Sequence, residues 1–483
     1  MQATVIQRIL GILLSLFSLT QLPPLLIALW IDESSQGAFL FSFIIILVIG
    51  FILWFPVRNM HNELKLRDGF VVVVLFWAGL GLTGSIPLVL AEHPHLSLTD
   101  AVFESLSGLT TTGATVMTGI DYLPKSIQFY RQELQWLGGM GIIVLAVAIL
   151  PILGIGGMQL YKAETPGPLK DSKLTPRITE TAKALWYIYL SMTILCAVLY
   201  WMAGMTLFDA IAHSFSTISI GGFSTHDLSI GYFNNSLIEC IAVVFMVIAG
   251  ANFTLHFLAW QDISIKHYLG DSEFKAYLAF LCGLCSFTIF YLVIKGYNTD
   301  QFSPVSDGIF QTVSIATTTG FTTTKYHLWP DLLPVLLLFS SFIGACAGST
   351  GGGLKVIRVL LLFRQGLREI KRLIHPNAII SIKINNKPVQ ERVINAVWGF
   401  FATYIIVFAL LLLLLMSTGL DQPTAFSAIA ACMNNLGPGL GSVSENYGNI
   451  SNTAKWFLCI AMLLGRLEIF TLLVLFTPTF WRN

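Results

Sequence analysis

The stretch Thr317-Thr318-Thr319-Gly320-Phe321-Thr322-Thr323-Thr324 is rich in hydroxyl groups, has a glycine at its centre and lies between two long apolar runs. A close copy, Thr110-Thr111-Thr112-Gly113-Ala114-Thr115, occurs earlier in the chain. Two looser copies are Ser219-Ile220-Gly221-Gly222-Phe223-Ser224 and Asn434-Asn435-Leu436-Gly437-Pro438-Gly439. We call these stretches glycine loops one to four, in chain order. Four copies in one chain suggest a ring of backbone carbonyls around a single axis.

The bulk composition indicates an integral membrane protein. Of the 483 residues, 55% are hydrophobic and only 11% are charged, whereas a soluble domain usually carries about 25% charged residues. The net charge of +1 gives no reason to expect a nucleic-acid partner. The seven cysteines fall mostly inside apolar runs, so we predict neither a disulfide nor a metal site for them.

Apolar runs long enough to cross a bilayer, which takes about 20 helical residues, divide the chain into repeats. We predict ten spans, at 8–30, 38–56, 70–91, 134–155, 184–204, 236–259, 276–295, 333–356 (interrupted), 394–417 and 454–477. After the first two, the remaining eight form four pairs, and each pair encloses a shorter segment that ends in a glycine loop. The predicted fold class is therefore an all-α integral membrane protein. Its predicted parts are an N-terminal pair of transmembrane helices at 1–60 and four repeats at 61–160, 161–265, 266–375 and 376–483.

The loop glycines keep nearly constant distances from other marked residues. The residues thirteen positions before them are all types that cap helix N-termini, and we predict a short helix beginning at each. These residues are Asp100, Asp209, Asp307 and Thr424. Further glycines follow 26 positions after the first loop glycine and 28 after the others, at Gly139, Gly250, Gly348 and Gly465. Matched offsets in units 98 to 117 residues apart indicate internal repetition.

A short helix that stops inside the membrane leaves backbone carbonyls without partners, which is tolerable where they line a polar path or are buried in protein. The C-terminal end of the helix dipole favours a cation. The extended loop that follows can aim successive carbonyls at an ion and replace its hydration shell. The alternative is four ordinary re-entrant or surface loops, which the matched offsets disfavour.

The distribution of basic residues predicts the orientation. The connections on one side of the predicted spans hold eighteen Lys and Arg residues, eight of them between Arg358 and Arg392, against five on the other side. We therefore predict that both termini and the loop 358–392 are cytoplasmic. The four glycine loops then open toward the outside.

On these motifs the chain resembles the superfamily of potassium transporters that includes TrkH, TrkG, KtrB and the plant HKT proteins. The resemblance covers about residues 70–480, and the extra N-terminal pair is similar to the TrkH/TrkG type of bacterial potassium uptake protein. It implies a bacterial inner-membrane transporter with one central pore, assembled as a homodimer, that carries potassium without an organic cofactor. The implied potassium ligands are backbone carbonyls of Thr111, Thr112, Gly113, Ile220, Gly221, Gly222, Thr318, Thr319, Gly320, Asn435, Leu436 and Gly437.

A second motif interrupts the eighth predicted span. The segment Gly344-Ala-Cys-Ala-Gly-Ser-Thr-Gly-Gly-Gly353, which we call the glycine-rich segment, contains five glycines. Each glycine costs a helix about 1 kcal/mol relative to alanine. The structural alternatives are a hinge and a kink for close packing. In the resembling family this segment gates the pore, which implies a gate formed by Gly348, Gly351, Gly352, Gly353, Lys355 and Arg466.

Four ionisable residues inside apolar segments need partners or a polar path. Arg466 lies in the last span with Glu468 two residues on, and the resembling family uses an arginine below its filter as an electrostatic barrier. The alternative is a buried pair between Arg466 and Glu468. We predict that Glu104 and His213, within the first two short helices, are hydrogen-bonded structural groups rather than ion ligands.

The resemblance also implies a cytoplasmic partner, a ring of TrkA-type regulatory subunits that bind NAD(H) and ATP or ADP. No Gly-x-Gly-x-x-Gly unit in a strand–helix pattern occurs in this chain, so nucleotide sensing would belong to that partner. The basic loop 358–392 could instead hold anionic membrane lipid. A proton-coupled symporter, for which Glu468 would be the acidic group, and the ion-binding subunit of a potassium pump stay open as alternatives. An enzyme is not expected, since no catalytic triad, HExxH or paired acidic motif is present.

Overall fold

Each glycine loop follows a short helix whose start is fixed by a capping side chain. These helices are Leu98–Leu109, Leu207–Ser219, Pro304–Ala316 and Gln422–Met433. Their N-caps are Ser97, Thr206, Ser303 and Asp421, each accepting a hydrogen bond from a backbone N–H of the first turn.

The prediction that Asp100, Asp209, Asp307 and Thr424 are the N-caps is therefore wrong by three or four positions, because these residues lie in the first turn. Asp100 and Asp209 there accept hydrogen bonds from the capping hydroxyls of Ser97 and Thr206, at 2.7 and 2.6 Å. A carboxylate in the first turn interacts favourably with the helix dipole, which explains its recurrence at this offset.

The computed structural model describes residues 2–59, 66–149, 178–297, 303–330 and 332–482. The N-terminal pair consists of Ala3–Ser18, continued by Leu22–Ile31, and of Gln36–Trp54. In the repeats, the first long helices are Leu66–Gly84, Ile178–Met202, Ser272–Ile294 and Glu391–Met416. The second ones are Lys125–Ile149, Ser236–Ala249, Leu333–Ile343 and Asn452–Arg466.

Shorter elements connect these helices. Ile86–Leu90 follows the first span of repeat one, and Lys266–Gly270 precedes the first long helix of repeat three. The amphipathic helix Val356–Ile374 follows the glycine-rich segment. Strands Lys383–Ile384 and Lys387–Pro388 pair antiparallel, Lys383 opposite Pro388, around an Asn385-Asn386 turn in which both residues have positive φ. Such two-residue turns match the twist of a hairpin.

The second long helix of every repeat is broken at an equivalent place. In repeat one Gly141 has φ 58° and ψ −168° within Lys125–Ile149. In repeat two Ser236–Ala249 meets Phe253–Gln261 at 92°, and in repeat four Asn452–Arg466 meets Phe470–Phe476 at 107°. In repeat three the glycine-rich segment separates Leu333–Ile343 from the next helix. The sequence predicted only this third break.

The described part of the chain contains six helices long and apolar enough to cross a membrane, or up to eight if each bent pair is one span. Eight of the ten predicted spans have counterparts by this measure, whereas 333–356 reduces to the eleven-residue helix Leu333–Ile343. The predicted span 134–155 ends outside the described residues, as do the boundaries at 60 and 160. An all-α, multi-pass membrane protein is nonetheless confirmed.

Candidate functional site: a closed ring of glycine loops

The four glycine loops share one backbone conformation. The residue before each loop glycine donates its N–H to a carbonyl five positions earlier, at 2.8 Å in all four cases: Thr112 to Ser107, Gly221 to Ser216, Thr319 to Ser314 and Leu436 to Ala431. Since the partner carbonyl belongs to the preceding short helix, each loop is attached to its helix in the same way.

Residues with positive φ alternate with residues of negative φ along each loop. The loop glycines have φ between 78° and 97°. The residues two positions earlier are also left-handed, although they carry side chains: Thr111, Ile220, Thr318 and Asn435, with φ between 54° and 69°. Non-glycine residues rarely adopt this conformation, and its cost is sustained where function needs it. Alternating handedness turns successive carbonyls toward the same side of the strand, as a carbonyl-lined path needs.

The loops close into a ring. A Cβ atom built on Gly113 would lie 2.2 Å from the carbonyl oxygen of Gly221 in loop two. The same construction on Gly222 meets the Thr319 carbonyl at 2.0 Å, and on Gly320 the Leu436 carbonyl at 2.2 Å. On Gly437 it meets the Thr112 carbonyl at 2.6 Å, back in loop one. Each glycine thus makes room for the carbonyl that precedes the glycine of the next loop.

In the first three repeats, the side chain nine positions before the loop glycine is polar and forms hydrogen bonds with residues that follow that glycine. Glu104 accepts hydrogen bonds from the Thr115 hydroxyl and the Val116 N–H, both at 2.9 Å. His213 contacts the Ser224 hydroxyl at 2.9 Å. The hydrogen bonding predicted for Glu104 and His213 is confirmed.

The same position in loop three holds Gln311, whose amide oxygen accepts from the Thr323 N–H at 2.7 Å. Sequence reasoning missed Gln311, although the nine-residue offset shared with Glu104 and His213 would have found it. Ala428 occupies the position in loop four, and there Tyr447 donates its hydroxyl to the Gly437 carbonyl at 2.8 Å instead.

Two further residues that the sequence did not single out join loops one and two. Arg131 is 1% exposed and pairs with Glu104 at 2.8 Å, while it also donates to the Ser224 carbonyl at 3.2 Å. Gln135 donates to the Gly221 carbonyl at 2.5 Å and accepts from the Phe223 N–H at 3.0 Å. Both lie among other polar residues in the first half of Lys125–Ile149, so the sequence does not distinguish them from their neighbours.

Cavities lie on both sides of the ring. The cavity on the side that the basic residues predict to be outside, which we call the outer cavity, has a volume of about 480 Å³ and is lined by all four loop glycines. The inner cavity is much smaller, about 100 Å³, and is lined by Asn435 together with five of the six predicted gate residues. These five are Gly351, Gly352, Gly353, Lys355 and Arg466. The sixth, Gly348, instead contacts repeat two, where its carbonyl accepts from the Phe253 N–H at 3.0 Å.

The glycine-rich segment lies directly against the inner side of the ring. The Gly352 N–H donates to the Thr318 hydroxyl at 2.7 Å, and the Gly353 N–H donates to the Asn434 carbonyl at 3.0 Å. The Thr350 hydroxyl donates to the Ile218 carbonyl at 2.9 Å. A side chain on Gly352 would come within 2.0 Å of the Asn434 carbonyl, so glycine is needed for this approach.

Arg466 joins three of the repeats below the ring. Its guanidinium donates to the Thr111 hydroxyl at 3.2 Å and to the Thr350 carbonyl at 3.1 Å. It also donates to the carbonyls of Gly138 and, at 3.1 Å, Gly139. The Lys355 ammonium, buried nearby, donates to the Gly351 carbonyl. Three basic side chains, those of Lys355, Arg358 and Arg466, line this small cavity together with the Glu468 carboxylate.

Glu468 forms an ion pair with Arg358 at 2.7 Å. Arg358 is buried, and its guanidinium carbon also lies 4.2 Å from the centre of the Phe400 ring. Because Arg358 is in the first turn of Val356–Ile374, this pair connects that helix to the break in the last repeat.

A histidine cluster borders the outer cavity. His226 stacks on Tyr232 with ring centres 3.5 Å apart, its Nε2 lies 3.5 Å from Asp209, and its Nδ1 contacts Asp121. The His213 ring lies 6.4 Å away. Burial lowers the pKa of His226, but the hydrogen bonds and negative charges of Asp209 and Asp121 outweigh burial and raise that pKa above its ordinary value.

Comparison with known proteins places the whole chain in one group. Residues 35–482 match the TrkH family model, described as "Cation transport protein". The chain is 59% identical to the Trk system potassium uptake protein TrkH of Vibrio parahaemolyticus, over 100% of both chains. It is 42% identical to the Trk system potassium uptake protein TrkG of Escherichia coli, over 99% of both. The crystal structure of the potassium transporter TrkH from Vibrio parahaemolyticus superposes with a TM-score of 0.91 at 56% identity over 100% of both chains.

Proposed function

The chain belongs to the TrkH family of cation transport proteins, and we propose that it takes up potassium through the ring of glycine loops. The transported ion passes from the outer cavity through a filter of backbone carbonyls contributed by all four loops. Its route continues past the glycine-rich segment into the cytoplasm of a bacterial cell.

The observation that carries this proposal is the cyclic approach of each loop glycine to the next loop's carbonyl, between 2.0 and 2.6 Å for an added Cβ atom. Carbonyl oxygens held around one axis replace the hydration shell of a cation. The four short helices direct their C-terminal dipole ends toward the same place, which favours positive charge there. The close approach at all four glycines supports a ring that the four loops form together.

The conformation described here is closed on the inner side. The glycine-rich segment is bonded to the ring through Thr318 and Asn434, and Arg466 lines the small cavity beneath the ring. A fixed cation beneath a cation filter raises the electrostatic barrier to flow. Opening therefore requires the segment and the arginine to move away from the axis.

The helix Val356–Ile374 transmits the opening signal in this proposal. It starts at the end of the glycine-rich segment and continues into the basic loop that we place on the cytoplasmic side. A cytoplasmic TrkA-type ring that binds NAD(H) and ATP or ADP would move this helix, and Arg358 would carry the motion to Glu468. We further propose a homodimer, with anionic lipid held by exposed basic side chains of the same loop.

Neither alternative function is favoured by a specific observation. The symporter hypothesis needs Glu468 as its acidic group, but the Glu468 carboxylate forms an ion pair with Arg358 at 2.7 Å. The pump-subunit hypothesis would need a different family, whereas the match to TrkH covers residues 35–482.

Rubidium uptake into liposomes tests the proposal. Purified protein and the Arg466→Ala variant are reconstituted, and an inside-negative voltage is imposed. We expect voltage-driven uptake that external potassium suppresses far more than sodium does, with a higher rate for Arg466→Ala. Equal suppression by both ions would refute a potassium filter, and uptake that follows an imposed proton gradient instead of the voltage would establish the symporter.

A further inference from the structure

The residues two positions before the loop glycines are at the inner end of the ring. They are Thr111, Ile220, Thr318 and Asn435. Their left-handed backbones place the side chains next to the gate elements rather than in the outer cavity, and the four differ in what they offer there.

Thr318 and Thr111 each hold one gate element. The Thr318 hydroxyl accepts the Gly352 N–H at 2.7 Å, which fastens the glycine-rich segment. The Thr111 hydroxyl accepts from the Arg466 guanidinium at 3.2 Å. Both threonines are at most 1% exposed. Breaking either hydrogen bond therefore leaves buried polar groups without a partner, because bulk water does not reach them.

The other two positions do not hold gate elements by a hydroxyl. Ile220 offers only an apolar side chain. A Cβ atom built on Gly351 would lie 3.5 Å from the Cδ1 of Ile220. Asn435 donates to the Thr112 hydroxyl at 2.9 Å and to the Met462 carbonyl at 3.2 Å, so it braces the ring itself. The repeat thus supplies four equivalent positions, and two of them carry hydroxyls bonded to the two different parts of the gate.

We propose that Thr111 and Thr318 are positioning residues that latch Arg466 and the glycine-rich segment to the filter and so couple the shape of the filter to the state of the gate. The inference rests on the proposed function, since it concerns the same pathway. In the closed state both hydroxyls are used by the gate. When the gate opens they lose these donors, and the filter residues that carry them become free to adjust.

Removing one hydroxyl tests the latch. Thr318→Val and Thr111→Val keep the β-branched shape, and Thr318→Ser and Thr111→Ser keep the hydroxyl. Without a regulatory partner, we expect each valine variant to raise rubidium uptake about fivefold to tenfold, as the loss of one hydrogen bond predicts. The serine variants keep the hydroxyl and should raise uptake less than the valine variants at the same positions. Thr317→Val is the matched control, because its buried hydroxyl bonds the Val313 carbonyl at 2.7 Å and Thr319 at 2.8 Å.

A double-mutant cycle separates latching from general damage. If Thr111 acts through Arg466, Thr111→Val should change uptake less than about twofold in the Arg466→Ala background. An equal increase in both backgrounds would overturn the inference, as would valine variants that elute as folded protein and leave uptake unchanged. If a valine variant fails to fold, Thr→Ala at that position replaces it under the same criteria.

The outcome also distinguishes this inference from the proposed function. If Arg466→Ala shows potassium-selective uptake but Thr111→Val has the same effect in both backgrounds, only the latch is refuted. Absence of selective uptake in Arg466→Ala removes the proposed function, and with it the latch.

Discussion

Replacing Gly113 by serine should damage the filter by a calculable amount. The new Cβ atom would lie 2.2 Å from the Gly221 carbonyl oxygen, and real Cβ atoms essentially never come closer than 3.0 Å. Either the carbonyl or the loop must therefore retreat by about 0.8 Å. Because that carbonyl belongs to the ring, the displacement falls on a proposed potassium ligand.

Two terms set the energy of this change. Glycine 113 has φ +78°, a conformation that costs a residue with a side chain about 1–2 kcal/mol. Overpacking a tight site costs about 1–3 kcal/mol. If the overpacking cost is expressed as weaker coordination of potassium by the displaced carbonyl, selectivity for potassium over sodium should fall about tenfold. A free-energy difference of 1.4 kcal/mol corresponds to a factor of ten.

The assay is competition of sodium with rubidium uptake, measured in the Arg466→Ala background so that the gate does not limit the flux. Gly419→Ser is the matched control, because Gly419 has φ +94° but a Cβ atom there would meet nothing within 4 Å. Gly419→Ser therefore introduces the strain of a side chain at positive φ but no steric clash. Unchanged selectivity in Gly113→Ser, or an equal loss in Gly419→Ser, would refute the reasoning.

Three other predictions follow from the described contacts. Gly352→Ala places a Cβ atom 2.0 Å from the Asn434 carbonyl, so it should push the glycine-rich segment from the ring and raise partner-free rubidium uptake about tenfold. Arg131→Met leaves the buried Glu104 carboxylate without its guanidinium and should lower the free energy of unfolding by about 3–5 kcal/mol, read as a lower Tm in detergent. His226 has a raised pKa, so its stabilising contribution is complete below about pH 6.5 and is lost as pH rises through that raised pKa. The Tm should therefore fall from about pH 6 to about pH 9 by more in the original protein than in His226→Gln.

Each of these predictions has a contradicting result. Uptake by Gly352→Ala at the original rate would show that the segment does not need its close approach. A Tm for Arg131→Met equal to that of the surface variant Lys325→Met would remove the structural role of the buried pair. Identical pH dependence of Tm in His226→Gln and the original protein would exclude the histidine cluster as its source.

Much of the ring could be predicted from the sequence because its geometry recurs. The loop glycines, the short helices before them and the glycine-rich segment are visible as matched offsets, and each offset reflects a backbone requirement that one residue type meets. The cap positions were wrong for the same reason: the carboxylate of Asp100 recurs at a fixed place, but the hydroxyl of Ser97 takes the cap.

The breaks in repeats two and four could not be read from the sequence. Residues 248–252 and 466–469 contain too few glycines to exclude a helix. The chain bends there because of neighbours distant in sequence, for example the Cys346 N–H that donates to the Gly250 carbonyl at 2.9 Å. Arg131 and Gln135 were missed likewise, since the loop-two groups that they bond, Ser224 for Arg131 and Gly221 and Phe223 for Gln135, lie in another repeat.

The central claim is that potassium is bound by the carbonyls of the ring. Its most direct test is the anomalous scattering of crystals grown with rubidium or thallium in place of potassium. The account predicts anomalous peaks on the axis of the ring, between the carbonyls of Thr112, Gly221, Thr319 and Leu436. Peaks found only elsewhere in crystals of a transport-competent protein would contradict it.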